Sequence, residues 1–185
     1  MPNLFRDVWW AWLKMPRTMG RGSTRSRLTV MFDLPQPLHP ALVHFPIVLI
    51  ILGTGAAVLS LVLDRWNIRE WTAVLLVLAA LGAVAATWSG GDQARQVRPT
   101  LSPEVKQLLH NHAEWGETTR NITLAAAALA VIAVALQRWP RLALAVRLLL
   151  VLVALGATWS VIQTGKLGGE MVYHQGVGTS KDASP

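Results

Sequence analysis

Four apolar runs free of charged residues divide this chain, each close to the length that crosses a bilayer. They are Ala41 to Leu63, Trp71 to Gly91, Ile122 to Gln137 and Leu148 to Gly165. A spanning helix needs about 20 apolar residues, with a lower limit of about 17. The first two runs meet that alone. The third and fourth meet it with Asn121, Trp139 and the stretch Leu142 to Val146 added, giving spans of about 41–63, 71–91, 121–139 and 142–165. Lipid offers the backbone no hydrogen-bond partner, so each run must be a helix. An even number of crossings returns the chain to its starting side. The lead-in to the first span, the connector Asp92 to Asn121 and the tail from Lys166 therefore share one face, and all five histidines lie on it. The opposite face receives two tight turns, Asp64 to Glu70 and Arg138 to Arg141.

The expected fold is an all-α integral membrane four-helix bundle. The 185 residues are 52% hydrophobic, which leaves room for one bundle and no second folded domain. The chain has no cysteine, which excludes disulfides, thiolate chemistry, cysteine-ligated metals and covalently attached haem. The net charge of +7 is read as topology and lipid contact. Basic residues are not interleaved with aromatics as a strand-binding groove requires, so no nucleic acid is expected.

Along the chain, residues 1–33 read as an interfacial amphipathic helix and a basic linker. Leu4, Phe5, Val8, Trp9, Trp12 and Leu13 form an apolar stripe, Pro16 ends it, and Arg17, Arg21, Arg25 and Arg27 follow. Met31 is an equally good start for the chain. The membrane domain occupies 34–178, and 179–185 form a disordered tail. Pro40 suits a first helical turn and Pro46 falls in the second. Gly53 and Gly55 are expected to let a neighbouring helix approach. Trp66, Trp71 and Trp139 mark one interface, and Trp88 and Trp159 the other. Thr87-Trp88-Ser89 recurs as Thr158-Trp159-Ser160, and the same offset carries His39 onto His110, as in two repeated helical hairpins. Counting Lys and Arg in the short connections places both termini and the histidine face on the cytoplasmic side, by a margin that shrinks if the chain starts at Met31.

Ser102 can cap and Pro103 can open a helix that runs well before the third apolar stretch. From Pro103 to Arg138 it would measure about 54 Å at 1.5 Å per residue, against a hydrocarbon core of about 30 Å. His39 and His112 then lie about 37 and 39 Å from the turn face, and His44 about 30 Å. Gly165, Gly168 and Gly169 are expected to end the fourth helix and fold His174 back over the same mouth. His112 heads a small, lightly polar stripe of Gly116, Thr119 and Thr123. His110 heads Glu114, Glu117 and Asn121. Three readings follow. One is a haem b ligated by His44 and His112, with His39 and His174 as alternate ligands or supporting partners and Gly116 giving the porphyrin room. Another is a divalent metal held by histidines, His110 among them, with Glu114, Glu117 or Glu170. The third is a set of polar caps that bind nothing. No nucleophile elbow, phosphate loop or dinucleotide fingerprint is present, and no catalytic residue is assigned.

The string His39-Pro40-Ala41-Leu42-Val43-His44-Phe45-Pro46 is the most specific in the chain. With Gly90-Gly91-Asp92, His112, Gly168-Gly169, Tyr173-His174 and Gly176, it resembles a family of predicted four-span bacterial membrane proteins catalogued as domain of unknown function 2231. The resemblance covers roughly residues 34–178. It implies a bacterial inner-membrane protein with four helices and assigns no activity. Some relatives look joined to haem or Rieske-type redox domains, which points to a haem-binding or electron-transfer component. This chain carries no such domain, so the implied partners are the lipid bilayer and a separate redox protein or membrane complex.

Overall fold

The computed structural model describes residues 38–63 and 67–177, all in one compact unit. The expected amphipathic helix and basic linker at 1–33, Trp66 and the tail from 179 lie outside the described residues. Four long helices follow one another: α1 (Leu38–Val62), α2 (Ile68–Val97), α3 (Pro103–Ala135) and α4 (Pro140–Tyr173). All four are long and apolar enough to cross a membrane. Each packs on its neighbours in sequence, and α4 closes on α1, so α1 and α3 face each other across the bundle diagonal.

The helices outrun the apolar stretches that nucleate them. α2 continues through Asp92 to Val97, with Arg95 paired to Asp92, then passes through a 3-10 turn at Arg98–Thr100. Ser102 caps α3, its Oγ accepting from the Val105 amide at 3.4 Å, with Pro103 in the first turn. At the other end, Gly165, Gly168 and Gly169 do not terminate α4. The helix runs to Tyr173, and the left-handed residue that follows is Gly176, at φ 71°. Glycine inside a packed helix trades propensity for close approach, and Gly168 makes that trade against an imidazole.

The core is built the opposite way from a water-soluble bundle. Its fully buried positions are mostly alanine, among them Ala57, Ala79, Ala126, Ala154 and Ala157, and the large side chains of Leu52, Leu81 and Leu152 point outward. In lipid nothing is gained by hiding leucine, and helices associate through small residues that let backbones approach. Gly53 belongs to this set: a Cβ there would sit 2.7 Å from Leu76 Cδ2. Gly55 does not; it is exposed, with nothing within 4 Å. The α1–α4 seam is the lightest of the four, and polar links cross it. Thr54 Oγ1 donates to the Ala154 carbonyl at 3.1 Å and lies 2.9 Å from Thr158 Oγ1. Arg147 donates to the Ser60 carbonyl at 2.7 Å, satisfying one of the end carbonyls of α1.

Exposed tryptophans frame the crossing. Trp71 and Trp88 are 17 residues apart on α2, a rise of about 26 Å. Trp139 and Trp159 are 20 apart on α4, about 30 Å. Both spacings match the hydrocarbon thickness of about 30 Å.

The two glycines separate packing from exposure. Gly53→Ala is expected to lower the bundle's unfolding free energy in detergent by about 1–3 kcal/mol through overpacking against Leu76. Gly55→Ala should leave it unchanged or slightly raised. Equal losses for the two would refute this account of the α1–α2 contact.

Candidate functional site

The histidine end of the bundle brings two imidazoles together on its axis. His39 comes from the first turn of α1 and His112 from the third turn of α3. Their ring centroids are 6.4 Å apart with planes at 84°. They meet across the diagonal, although the helices carrying them hardly touch.

Each ring is held by the second helix of its own hairpin. His39 Nδ1 lies 3.2 Å from Ser89 Oγ on α2. Ser89 is buried, and its Oγ also lies 3.0 Å from the Ala86 carbonyl. His112 Nδ1 lies 3.0 Å from the Thr164 carbonyl on α4. A carbonyl cannot donate, so His112 Nδ1 carries the proton and, in the neutral ring, its Nε2 keeps a lone pair. A hydrogen bond from one ring nitrogen to a fixed acceptor is what sets the tautomer of a ligating imidazole.

A glycine makes room for each ring. A Cβ at Gly90 would lie 2.8 Å from His39 Cε1, and one at Gly168 would lie 3.2 Å from His112 Cε1. Gly91 and Gly165 have open space where a side chain would be, and Gly116 meets only Thr87 Cγ2 at 4.0 Å. Beyond His112 on α3 and Gly168 on α4, Val105 and Met171 are buried. Below the pair, hydroxyls tie α3 to α4. Thr119 Oγ1 lies 2.7 Å from Ser160 Oγ and 3.1 Å from Thr164 Oγ1. Thr119 and Thr164 also reach their own helix carbonyls at Trp115 and Ser160, at 2.8 and 2.9 Å. Ser89 follows exposed Trp88 directly, so the site lies at headgroup depth.

The structure brings His39, rather than His44, to His112. Five residues of helix turn a side chain by about 140°. His44 consequently points outward, exposed, with Nδ1 donating to the Pro40 carbonyl at 2.7 Å. His174 stands exposed past the end of α4. His110 also faces away, 3.2 Å from Glu114 in an exposed pair. Glu117 and Glu170 are exposed. Among the described residues, no group of three or more His, Cys, Asp or Glu is placed to share a metal ion. The 71-residue offset matches His39 with His110, whereas in role the partner of His39 is His112. Ser89 and Thr164, which fix the rings, carry no distinctive signal of their own in the sequence. The adjoining glycine pairs Gly90-Gly91 and Gly168-Gly169 are the readable trace.

Four lipid-facing helices with paired tryptophan girdles and a small-residue interior define a multi-pass membrane protein. The chain belongs to the family described as predicted membrane protein (DUF2231), which matches residues 35–181. No curated protein matches the chain, and neither does any solved structure.

Thr119→Val removes the hydroxyl on which Ser160 and Thr164 converge while keeping the shape. Interhelical hydrogen bonds in bilayers average about 0.6 kcal/mol and reach about 1.7. Unfolding in mixed detergent should show a loss in that range. A loss above about 3 kcal/mol, well beyond that range, would mean that the cluster does more than join two helices.

Proposed function

We propose that His39 and His112 are the two protein donors of a b-type haem site, and that the protein is a one-electron carrier at one face of the bacterial inner membrane. The observation that carries this is the meeting of two imidazoles from facing helices, each with Nδ1 in hydrogen-bond contact with the second helix of its own hairpin. These two residues would hold the group; their ring centroids stand 6.4 Å apart. Two nitrogen donors with no acidic or third histidine neighbour make a poor four-ligand zinc set, but they are the complement that haem iron takes from a helical bundle. Bound haem would supply a reversible Fe(II)/Fe(III) couple. The chain supplies orientation through Ser89 and Thr164, and Gly90 and Gly168 make room for the two rings.

One site at one interface gives the protein one electron-exchange face. The turn end is about 30 Å away across the hydrocarbon, so a donor or acceptor must come to the histidine side, as a separate redox protein or within a larger membrane complex.

Purified in mild detergent, the protein should show a Soret band and sharp α and β bands on dithionite reduction. The double variant His39→Ala/His112→Ala should lose them, while His44→Ala keeps them. A wild-type protein that stays colourless after haem addition, yet remains helical and monodisperse, refutes the haem site. The pair would then be a polar lock between hairpins.

A further inference from the structure

We propose that the turn end of the bundle carries a binding site for one anionic phospholipid, with an acyl chain in the groove beside the α3–α4 turn and the phosphate on Arg141 and Arg138. The site lies at the opposite end from the histidine pair and is independent of the haem reading.

The groove comes from the way α3 hands over to α4. α3 ends at Ala135, the chain turns through 136–139, and Pro140 opens α4. A proline disfavours helix in the residue before it, and Trp139 sits at φ −115°, ψ 86°, outside the helical region. Leu136, Trp139, Pro140, Arg141 and Leu142 line a groove of about 600 Å³ whose walls are almost wholly apolar. That volume falls within the range of about 300–1,000 Å³ typical of small-molecule sites. Trp139 is 60% exposed and Leu142 51%. Trp139 stands at one of the two interfaces that the tryptophans mark, so the groove opens where headgroup gives way to acyl chain.

The charge around the groove selects the headgroup. Arg141 is the charged residue in its wall, and Arg138 precedes Trp139 in the turn; both are exposed. The first turn of α4 supplies no acidic side chain, at a helix end whose dipole favours negative charge. In the sequence the whole turn end holds Arg65, Arg69, Arg138, Arg141 and Arg147 against Asp64 and Glu70. An arginine at this depth lays its methylenes along apolar surface and keeps its guanidinium in the headgroup layer. There it can take two phosphate oxygens in one fork of hydrogen bonds. A zwitterionic lipid brings an ammonium to the same cations, and an anionic lipid does not. The groove thus selects for an acyl chain and the arginines for net negative charge.

Native mass spectrometry of the full chain in mild detergent, offered phosphatidylglycerol and phosphatidylcholine of matched chains in equal amounts, tests this. Wild type should retain one phosphatidylglycerol with at least tenfold preference. Each cation near an anionic surface contributes about fivefold, so Arg138→Gln/Arg141→Gln, checked for intact helicity and monodispersity, should cut that preference by about tenfold or more. Arg98→Gln/Lys166→Gln removes the same charge from exposed positions at the histidine end and should keep it. Excess inorganic phosphate should not displace the lipid, because it leaves the groove unfilled. A second measurement does not depend on those variants. Phosphatidylglycerol brominated on its acyl chains should quench tryptophan fluorescence more than brominated phosphatidylcholine does, and Trp139→Phe should remove the difference. Equal retention of the two lipids by wild type, equal losses in the two charge variants, displacement by phosphate, or a quenching difference that survives Trp139→Phe overturns the proposal.

Discussion

The absence of hydrogen-bond partners in the bilayer governs everything else in this protein. Every backbone amide and carbonyl in the hydrocarbon must be satisfied within its own segment, which forces helices. Lipid also removes the usual reward for burying large side chains, so the interior is left to residues that allow close packing. The alanine core, the fit of Gly53 against Leu76 and the outward leucines are consequences of that one condition. The same condition explains where polar groups appear. Thr54, Arg147, Thr119 and Ser160 use hydrogen bonds to join helices where apolar association gives little drive, most visibly on the light α1–α4 seam.

A second condition operates where the bilayer ends. Beyond the tryptophan girdle α2, α3 and α4 continue as helices. His39, in the first described turn of α1, lies against Ser89 and Gly90 of α2. His112 reaches the same point from the facing helix. The two hairpins solve one problem twice with different chemistry. Each takes a histidine from its first helix and gives it a glycine and a hydrogen-bond partner from its second. The partner of Nδ1 is the Ser89 hydroxyl in one hairpin and the Thr164 main-chain carbonyl in the other.

Much of this is legible in the chain. The uncharged runs gather the histidines at one end through their even number alone. Ser102-Pro103 announces the start of α3, and the rise per residue levels His39 with His112. Elsewhere local signals point the wrong way. Gly165, Gly168 and Gly169 read as a helix end, yet the helix passes through them, because the space at Gly168 is filled by a ring from another helix. Gly55 reads as a packing glycine, but it lies on the outer side of α1. Height alone sets His39, at about 37 Å from the turn face, nearer to His112 than His44 at about 30 Å, and the angle about the helix separates the two outright.

Residue order is enough to establish four membrane-spanning helices, the face that carries the imidazoles and roughly how deep they lie. These follow from composition and from a constant rise per residue, both properties of a single helix. The assembled bundle was needed to show that His39 and not His44 meets His112, that Ser89 and Thr164 hold the two rings, and that Gly90 and Gly168 are the surfaces they rest on. Those facts depend on the rotation of one helix against another and on partners 50 or more residues away in the chain. Helix rotation is set by the summed packing of small side chains, and no local pattern encodes it.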